Sequence, residues 1–395
     1  MASQKLPEID VLRIISILIV VLLIHIPQSY AYNFYLDFDQ FEVFLVNNVG
    51  IYIAMGSFVF VSGFGLSLNP NNRNLTKAKN LLAFIKKRFL RIFPLYWIAI
   101  VLFLFFVGYL DIDPLYLMYH FFGLQIILAP YFGPPMLTLW FIGIIVIYYL
   151  IYIVLNLLKS PLWIILMAIA ILFFFVFLNG AFGLVEIRFF RYYNIFILGI
   201  ITAHIYTSPL YIRFKERLRE KSRVIILLIS LGFAILGFIS FQFLTQYFYS
   251  TLISEYGTWS LYEILLTNPD FYQMAAIIFI TNLTIIAFLT FIISTFSFIF
   301  HTLRLIFSKR KVESVVSVIS YSTYGVYLFH RVFLAIFIFI LTTSFNLDMR
   351  EENNYFLVLI FVPFIFLFSY LIQKAYDWVW KRVFKRSVLE LNLNK

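Results

Sequence analysis

The chain alternates between apolar stretches of about 20 residues and short polar connections, and this alternation limits the possible folds. In lipid, a spanning backbone must satisfy its own hydrogen bonds, which leaves helices as the solution for stretches of this length. Only 12% of the 395 residues are charged, against about 25% in a soluble domain. We therefore predict an all-α, polytopic membrane helix bundle, with residues 1–395 as one transmembrane domain ending in a short cytoplasmic tail. About ten spans are predicted, at 10–28, 50–68, 92–110, 136–157, 161–178, 191–207, 224–247, 272–297, 322–344 and 355–373.

The distribution of charge predicts the orientation of these spans. Basic residues concentrate in alternate connections, at 73–91, 213–223, 304–311 and 374–395. The remaining connections are acidic and hold few basic residues. This pattern follows the positive-inside rule and predicts that both termini are cytoplasmic, in a multi-pass protein of the plasma membrane. The net charge of +11 therefore indicates a lipid bilayer as partner and no nucleic acid.

The first predicted span carries two ionisable side chains. Its sequence, IDVLRIISILIVVLLIHIPQ, places Arg13 near the start and His25 near the end. A charged side chain in the bilayer centre costs roughly 2.5–3.5 kcal/mol on insertion scales, so such residues indicate a functional site. His25 lies about 24 Å along the helix from its start, toward the outer half of the membrane. Neutral imidazole exchanges a proton near neutral pH, which makes His25 a candidate general base.

Basic residues also precede the third predicted span, in KKRFLRIFPLYW (residues 86–97). Arg88 and Arg91 lie one helical turn apart, just before Pro94, which is expected to cap or kink the start of the span. Guanidinium groups bind phosphate well, so these residues are candidates for a phosphate-bearing ligand. Ordinary membrane anchoring explains the same pattern, and both interpretations stay open.

Two further stretches place small or polar residues at membrane depth. In FVFVSGFGLSL (residues 58–68), Ser62 and its neighbouring glycines allow close approach of another helix or of a slim acyl chain, and helix packing is the simpler explanation. ISYSTYGVYLFH (residues 319–330) ends at His330, for which interhelical hydrogen bonding is favoured over substrate contact. Cysteine is absent, as are a His-x-x-x-His metal motif, a glycine-rich phosphate loop and a serine nucleophile elbow.

These four stretches, with a weaker match in LWFIGIIVIYYLIY (residues 139–152), resemble the integral-membrane acyltransferase-3 family in order and spacing. The resemblance implies transfer of an acyl group, acetyl in the simplest case, from cytosolic acyl-CoA (acetyl-CoA) to a hydroxyl of a cell-surface or lipid-linked glycan. It implies no bound cofactor and no metal. His25 would be the catalytic base, supported by Arg13 and Asp10, and Asp37 or Asp39 is a candidate to orient the ring. Arg88, Arg91 and Lys87 would bind acyl-CoA. The substrate cavity would be formed by Ser62, Tyr96, Trp140, Ser320, Tyr321, Tyr327 and His330.

The sequence departs from the family pattern at two places. Ile144 and Ile145 occupy a neighbourhood where the family often carries a glutamate. His25 follows Arg13 by twelve residues instead of eleven, which turns the two side chains about 120° apart on a regular helix instead of about 20°. Either Arg13 has another partner, such as Asp10, or a π-bulge between Ser16 and Leu23 absorbs the extra residue. We favour the bulge.

Two other functions fit a polytopic bundle. A transporter or flippase of a lipid-linked sugar would line its path with His25, Arg13 and Arg331, but such proteins often contain inverted repeats, and we find none here. A non-catalytic membrane scaffold is the third possibility. Hydrolysis of a thioester by the purified protein would distinguish an enzyme from both.

Overall fold

The apolar stretches form long α-helices. The computed structural model describes residues 6–26, 49–72, 74–108, 113–133, 135–158, 160–221, 223–256, 271–306, 309–347 and 356–393, and none of these residues lies in a β-strand. In chain order the helices are α1 (Pro7–Leu18), α2 (Gly50–Leu68), α3 (Ala78–Phe106), α4 (Pro114–Phe121), α5 (Gln125–Phe132), α6 (Trp140–Leu155), α7 (Pro161–Phe182), α8 (Ile187–Tyr206), α9 (Pro209–Lys221), α10 (Arg223–Tyr256), α11 (Phe271–Ile306), α12 (Lys309–Phe345) and α13 (Phe356–Leu393). A π-helical segment, Ile19–His25, continues α1. The predicted all-α class is confirmed.

Within the described residues, seven helices are long and apolar enough to cross a membrane. The number becomes eight if α8 and α9, which meet at 63°, count as one bent span. The two other predicted spans contain shorter helices: α6 has 16 residues, and the first span is divided between α1 and the π-helical segment. The total of ten spans and the cytoplasmic location of both termini therefore stay predictions.

The centre of the bundle is a close crossing of α2 and α8. A Cβ atom built at Gly63 on α2 would overlap the carbonyl oxygen of Phe196, and one built at Gly199 on α8 would overlap that of Phe60. Only glycine allows two backbones to approach so closely. Helix packing is therefore the explanation for Gly63. A Cβ at Gly65, in contrast, would meet no atom within 4 Å.

The beginning of the chain packs against its late part. α1 contacts both α2 and α12. Ser320 of α12 donates a hydrogen bond of 2.8 Å to Asp10, and ten residues further along α12, His330 contacts His25. The two helices therefore run in the same direction, as the predicted first and ninth spans require.

The short helices α4 and α5 are fixed to the bundle by a buried polar cluster. The Tyr96 hydroxyl donates to the carbonyl oxygen of His120, and the amide of Gln125 donates to Tyr96 and to the carbonyl oxygen of Leu139. His120 is fully buried and accepts a hydrogen bond from the backbone N–H of Met136. Tyr96 was predicted to line a substrate cavity. In the structure it is completely buried in this cluster, where its hydroxyl joins α3 to the α4–α5 segment.

Candidate active site

A cavity of about 1030 Å³ opens between α1, α2, α3, α6, α12 and α13. Most of the residues that the sequence predicts to be functional lie on its wall. These are Asp10, Arg13, Ser62, Lys87, Arg88, Arg91, Ser320, Tyr321 and Tyr327. Gly65 also lines the cavity, where its missing side chain leaves open space. The cavity therefore collects residues that are separated by up to about four fifths of the chain.

The wall of this cavity is positively charged. Its basic side chains are Arg13, Lys86, Lys87, Arg88 and Arg91, and its acidic ones are Asp10 and Asp377. The charges of Arg13 and Arg91 lie close enough to repel each other. Excess positive charge held in a cleft attracts anions more strongly than the same charge on an open surface. We refer to the four basic residues of α3, residues 86, 87, 88 and 91, as the basic rim.

Arg88 and Arg91 differ in how they are held. The Arg88 guanidinium stacks over the rings of Phe84 and Tyr149, each at 5.4 Å from the ring centroid. Arg91 is exposed and forms no hydrogen bond or ion pair with the part of the chain that the structure describes. Arg88 is therefore oriented by its neighbours, whereas Arg91 is available to a ligand.

Pro94 lies inside α3 and neither caps nor starts the span, contrary to the sequence expectation. Proline has no N–H, so the carbonyl oxygen of Leu90, four residues earlier, loses its helical partner. The Tyr376 hydroxyl of α13 donates a hydrogen bond to this oxygen, and Tyr324 of α12 donates to the carbonyl oxygen of Ile92 at 3.0 Å. Tyr376 satisfies the carbonyl oxygen that the proline leaves free, and the two tyrosines join α12 and α13 to the helix that carries the basic rim.

Arg13 has a partner within its own helix. Its guanidinium donates to the Asp10 carboxylate at 2.8 Å, and the same carboxylate oxygen accepts the hydrogen bond from Ser320. One third of the Arg13 side chain remains exposed, toward the cavity. The pairing with Asp10, which the sequence offered as an alternative to the bulge, is present.

The predicted bulge is also present. The backbone is π-helical from Ile19 to His25, which overlaps the predicted interval between Ser16 and Leu23 and extends two residues beyond it. A π-helical turn contains one more residue than an α-helical turn, so it changes the direction of every side chain that follows. Here it brings His25 into the protein, where only 8% of the residue is exposed.

His25 contacts another buried histidine, His330 of α12. Nδ1 of His25 lies 2.6 Å from Nε2 of His330, and the two rings are nearly parallel, with 7° between their planes. Nδ1 of His330 lies 3.0 Å from the carbonyl oxygen of Val326 and 2.9 Å from that of Tyr327. Asp37 and Asp39, the predicted partners of His25, lie outside the described residues. Within the described residues, the side chain that contacts Nδ1 of His25 is His330.

Three aromatic rings on the cavity wall form a cluster, and one of them lies beside the histidine pair. Phe58, Phe141 and Tyr327 line the cavity and contact one another, with ring centroids 5.4–6.4 Å apart. Tyr327 also lies 6.4 Å from His330, and its hydroxyl donates to the carbonyl oxygen of Thr138. The cavity therefore ends one side chain away from the histidine pair. We refer to these three rings as the aromatic constriction.

Trp140, the remaining predicted cavity residue, lies elsewhere. Arg188 stacks over its indole ring at 4.9 Å and is paired with Glu186 at 3.0 Å. Arg188 belongs to an outer connection in the predicted topology, and Trp140 does not line the cavity that holds the basic rim. The assignment of Trp140 to the substrate cavity rested on the motif and not on which way the side chain faces, and it stays a prediction.

Sequence reasoning missed Asp377 of α13. This residue lines the cavity and accepts a hydrogen bond from the Tyr321 hydroxyl. An isolated acid in a segment where basic residues predominate was the available signal. Among the described residues, no three metal-ligating side chains lie together.

Comparisons with known proteins agree with the arrangement of these motifs. The acyltransferase-3 family model, described as an acyltransferase domain, matches residues 6–374, from the residue before α1 into α13. No curated protein and no solved structure matches the chain.

Proposed function

Because this chain belongs to the acyltransferase-3 family, we propose that it is an acyltransferase of the plasma membrane that uses cytosolic acyl-CoA, acetyl-CoA in the simplest case. The acceptor is a hydroxyl of a cell-surface or lipid-linked glycan. The observation that carries this proposal is the basic cavity that ends one aromatic side chain away from a buried histidine pair. A donor bound in the cavity and an acceptor approaching from the other side would meet at that pair.

The basic rim suits the anionic end of the donor. Coenzyme A carries several phosphate groups, and arginine forks bind phosphate through paired, charge-assisted hydrogen bonds. Arg91 forms no hydrogen bond or ion pair within the described part of the chain, and Arg88 is held in place by two rings. In the predicted topology this end of the cavity faces the cytoplasm, where acyl-CoA is available.

The thioester arm would then extend toward the aromatic constriction. Gly65 leaves space along this route, and Ile145 replaces the acid that the family often carries nearby with a buried apolar side chain. The arm is long and thin, and apolar walls suit its acyl end. Passage of the thioester beyond Tyr327 brings its carbonyl group to His25.

His25 is the proposed general base. Its unprotonated ring nitrogen removes the proton from the acceptor hydroxyl, and the hydroxyl oxygen attacks the thioester carbonyl carbon. Collapse of the tetrahedral intermediate breaks the C–S bond, and the departing thiolate takes the proton back from His25. The products are an ester and free coenzyme A, with no net gain or loss of protons.

Donor cleavage by purified protein in lipid nanodiscs tests this function. The native protein should release free thiol from acetyl-CoA, faster when an acceptor sugar is added, and His25→Ala should abolish release while the protein still folds. His204→Ala is the matched control, because it removes a histidine that lies on α8, away from the cavity.

Transfer in cells completes the test. Labelled acetyl should reach surface glycans in cells that carry the gene and not in a deletion strain. Full transfer by His25→Ala would refute the mechanism. Movement of a lipid-linked sugar across vesicles without any thiol release would favour the transporter instead; of its three expected path residues, only Arg13 lines the cavity.

A further inference from the structure

The hydrogen-bond partners of the histidine pair determine which ring nitrogens carry a proton. A neutral imidazole carries one N–H, and the partner of one ring nitrogen determines the state of the other. Nδ1 of His330 faces two backbone carbonyl oxygens, of Val326 and Tyr327. Carbonyl oxygens only accept hydrogen bonds, so Nδ1 of His330 must carry the proton.

The proton on Nδ1 of His330 determines the tautomer of His25. When His330 is neutral, its Nε2 has no hydrogen and accepts a hydrogen bond. Among the described residues, the one partner of Nε2 is Nδ1 of His25 at 2.6 Å, so that atom must be the donor. The remaining nitrogen of His25, Nε2, then has a free lone pair, and it forms no hydrogen bond with the described residues.

We propose that His330 is a positioning residue that holds His25 in the tautomer protonated at Nδ1, which leaves Nε2 as the reactive base. This inference rests on the proposed function for its catalytic meaning, although the tautomer itself is a property of the resting protein. The sequence analysis favoured a plain interhelical hydrogen bond for His330. The geometry adds that His25 is the donor of this hydrogen bond and His330 is the acceptor.

The same contact stabilises the product of proton transfer. After Nε2 of His25 accepts the proton of the acceptor hydroxyl, Nδ1–H continues to donate to His330, which shares the positive charge. The proton does not travel further, because Nδ1 of His330 already carries one and faces carbonyl oxygens. The charge therefore stays within the histidine pair, and the proton on Nε2 of His25 stays there until the thiolate removes it.

Two amide substitutions separate this role from simple packing. Glutamine at position 330 reaches the place of the ring Nε2 and offers a carbonyl oxygen to His25. Asparagine reaches only the place of Nδ1, so it keeps a donor for the Val326 and Tyr327 carbonyls and loses the acceptor. The two variants share the same chemistry and differ in length alone.

The expected kinetic result is a difference in kcat. His330→Gln should retain kcat within about tenfold of the native protein, since one neutral hydrogen bond replaces another. His330→Asn should lower kcat by about 10² or more, the usual contribution of a positioned general base, with an unchanged KM for acetyl-CoA. Thermal unfolding of both variants measures any loss of packing. Equal kcat values for the two variants would overturn the proposal.

Nitrogen-15 spectra of labelled histidine provide a test that does not need activity. The chain has only five histidines, so single substitutions assign each signal. His25 and His330 should both show protonated Nδ1 in the native protein, and His25 should change its tautomer in His330→Asn. If this change occurs in a protein that transfers no acyl group, the positioning role stands and the proposed function fails. Protonated Nε2 on His25 in the native protein would overturn the inference, whatever the activity.

Discussion

Replacement of Arg91 by Gln is a direct test of the basic rim. Arg91 lines the cavity, is exposed and forms no hydrogen bond or ion pair with the described residues. Its removal therefore leaves no buried partner unsatisfied, and the free energy of unfolding should change by less than about 0.5 kcal/mol, as for other surface substitutions. Any large effect on the reaction must then come from the ligand.

The size of that effect follows from the type of contact. A hydrogen bond to a charged group contributes about 1.5–3 kcal/mol, and each 1.4 kcal/mol changes an affinity tenfold. Loss of one guanidinium–phosphate contact should therefore raise the KM for acetyl-CoA roughly 10- to 150-fold. Loss of a distant exposed charge costs at most about 1 kcal/mol, or about fivefold. The two possibilities are far enough apart to measure.

Lys79→Gln is the matched control. Lys79 lies on the same helix and is exposed, but it is not part of the cavity wall. Both substitutions remove one positive charge from the same side of the membrane, so both change the long-range field and the positive-inside signal equally. Only Arg91→Gln should change the KM by more than about fivefold.

A truncated donor completes the assay. Acetyl-pantetheine presents the same thioester without the nucleotide phosphates, so its KM should be the same for the native protein and for Arg91→Gln. Initial rates of thiol release in nanodiscs give the KM of each of the two variants for each of the two donors, and each value is compared with that of the native protein. Arg91 would be an ordinary membrane anchor if Arg91→Gln and Lys79→Gln raised the KM similarly. The same would follow if Arg91→Gln raised the KM similarly for both donors.

Three further outcomes are expected. In this cysteine-free chain, a cysteine at Lys79 should react with an impermeant label only after the label enters the cell, and one at Asp113 should react from outside; labelling of both from one side would refute the predicted topology. Gly63→Ala should lower the unfolding temperature, because its Cβ overlaps a backbone oxygen of α8. Gly65→Leu should fold normally and raise the KM for acetyl-CoA, because the space at Gly65 is open. A Gly63→Ala protein as stable as the native one would contradict the close crossing. Deletion of Leu23 should preserve transfer better than deletion of a residue from the preceding α-helical turns, since the π-helical segment can lose one residue and become α-helical; equal loss of activity would count against this.

Much of the fold follows from the sequence because length and apolarity determine where a helix must form in lipid. The second span, predicted at 50–68, is the helix Gly50–Leu68. The third predicted span began at residue 92, but its helix begins at Ala78. The sequence signal there was Pro94, which ends or kinks many helices. It is accommodated because the distant Tyr376 satisfies the carbonyl that the proline leaves free, and a local pattern cannot reveal such a partner.

The candidate site was predictable where it depended on how side chains rotate around a single helix. The offset between Arg13 and His25 is a local property, and it led to the π-helical segment. The partners of these residues were not predictable, because His25 and His330 are 305 positions apart in the chain. The contact of Trp140 with Arg188 was not predictable for the same reason, since which side of an apolar helix faces a given neighbour depends on the whole bundle.

The hydrogen bond between Arg13 and Asp10 affects how the protein is made. α1 enters the membrane long before α12 is synthesised: at about 5–20 residues per second, the 305 residues that follow His25 up to and including His330 take roughly 15–60 s. During that time Ser320 does not yet exist, and a bare arginine in the bilayer would be expensive. Asp10, one turn earlier in the same helix, neutralises Arg13 from the moment both are synthesised. The first helix thus carries its own counter-ion into the membrane.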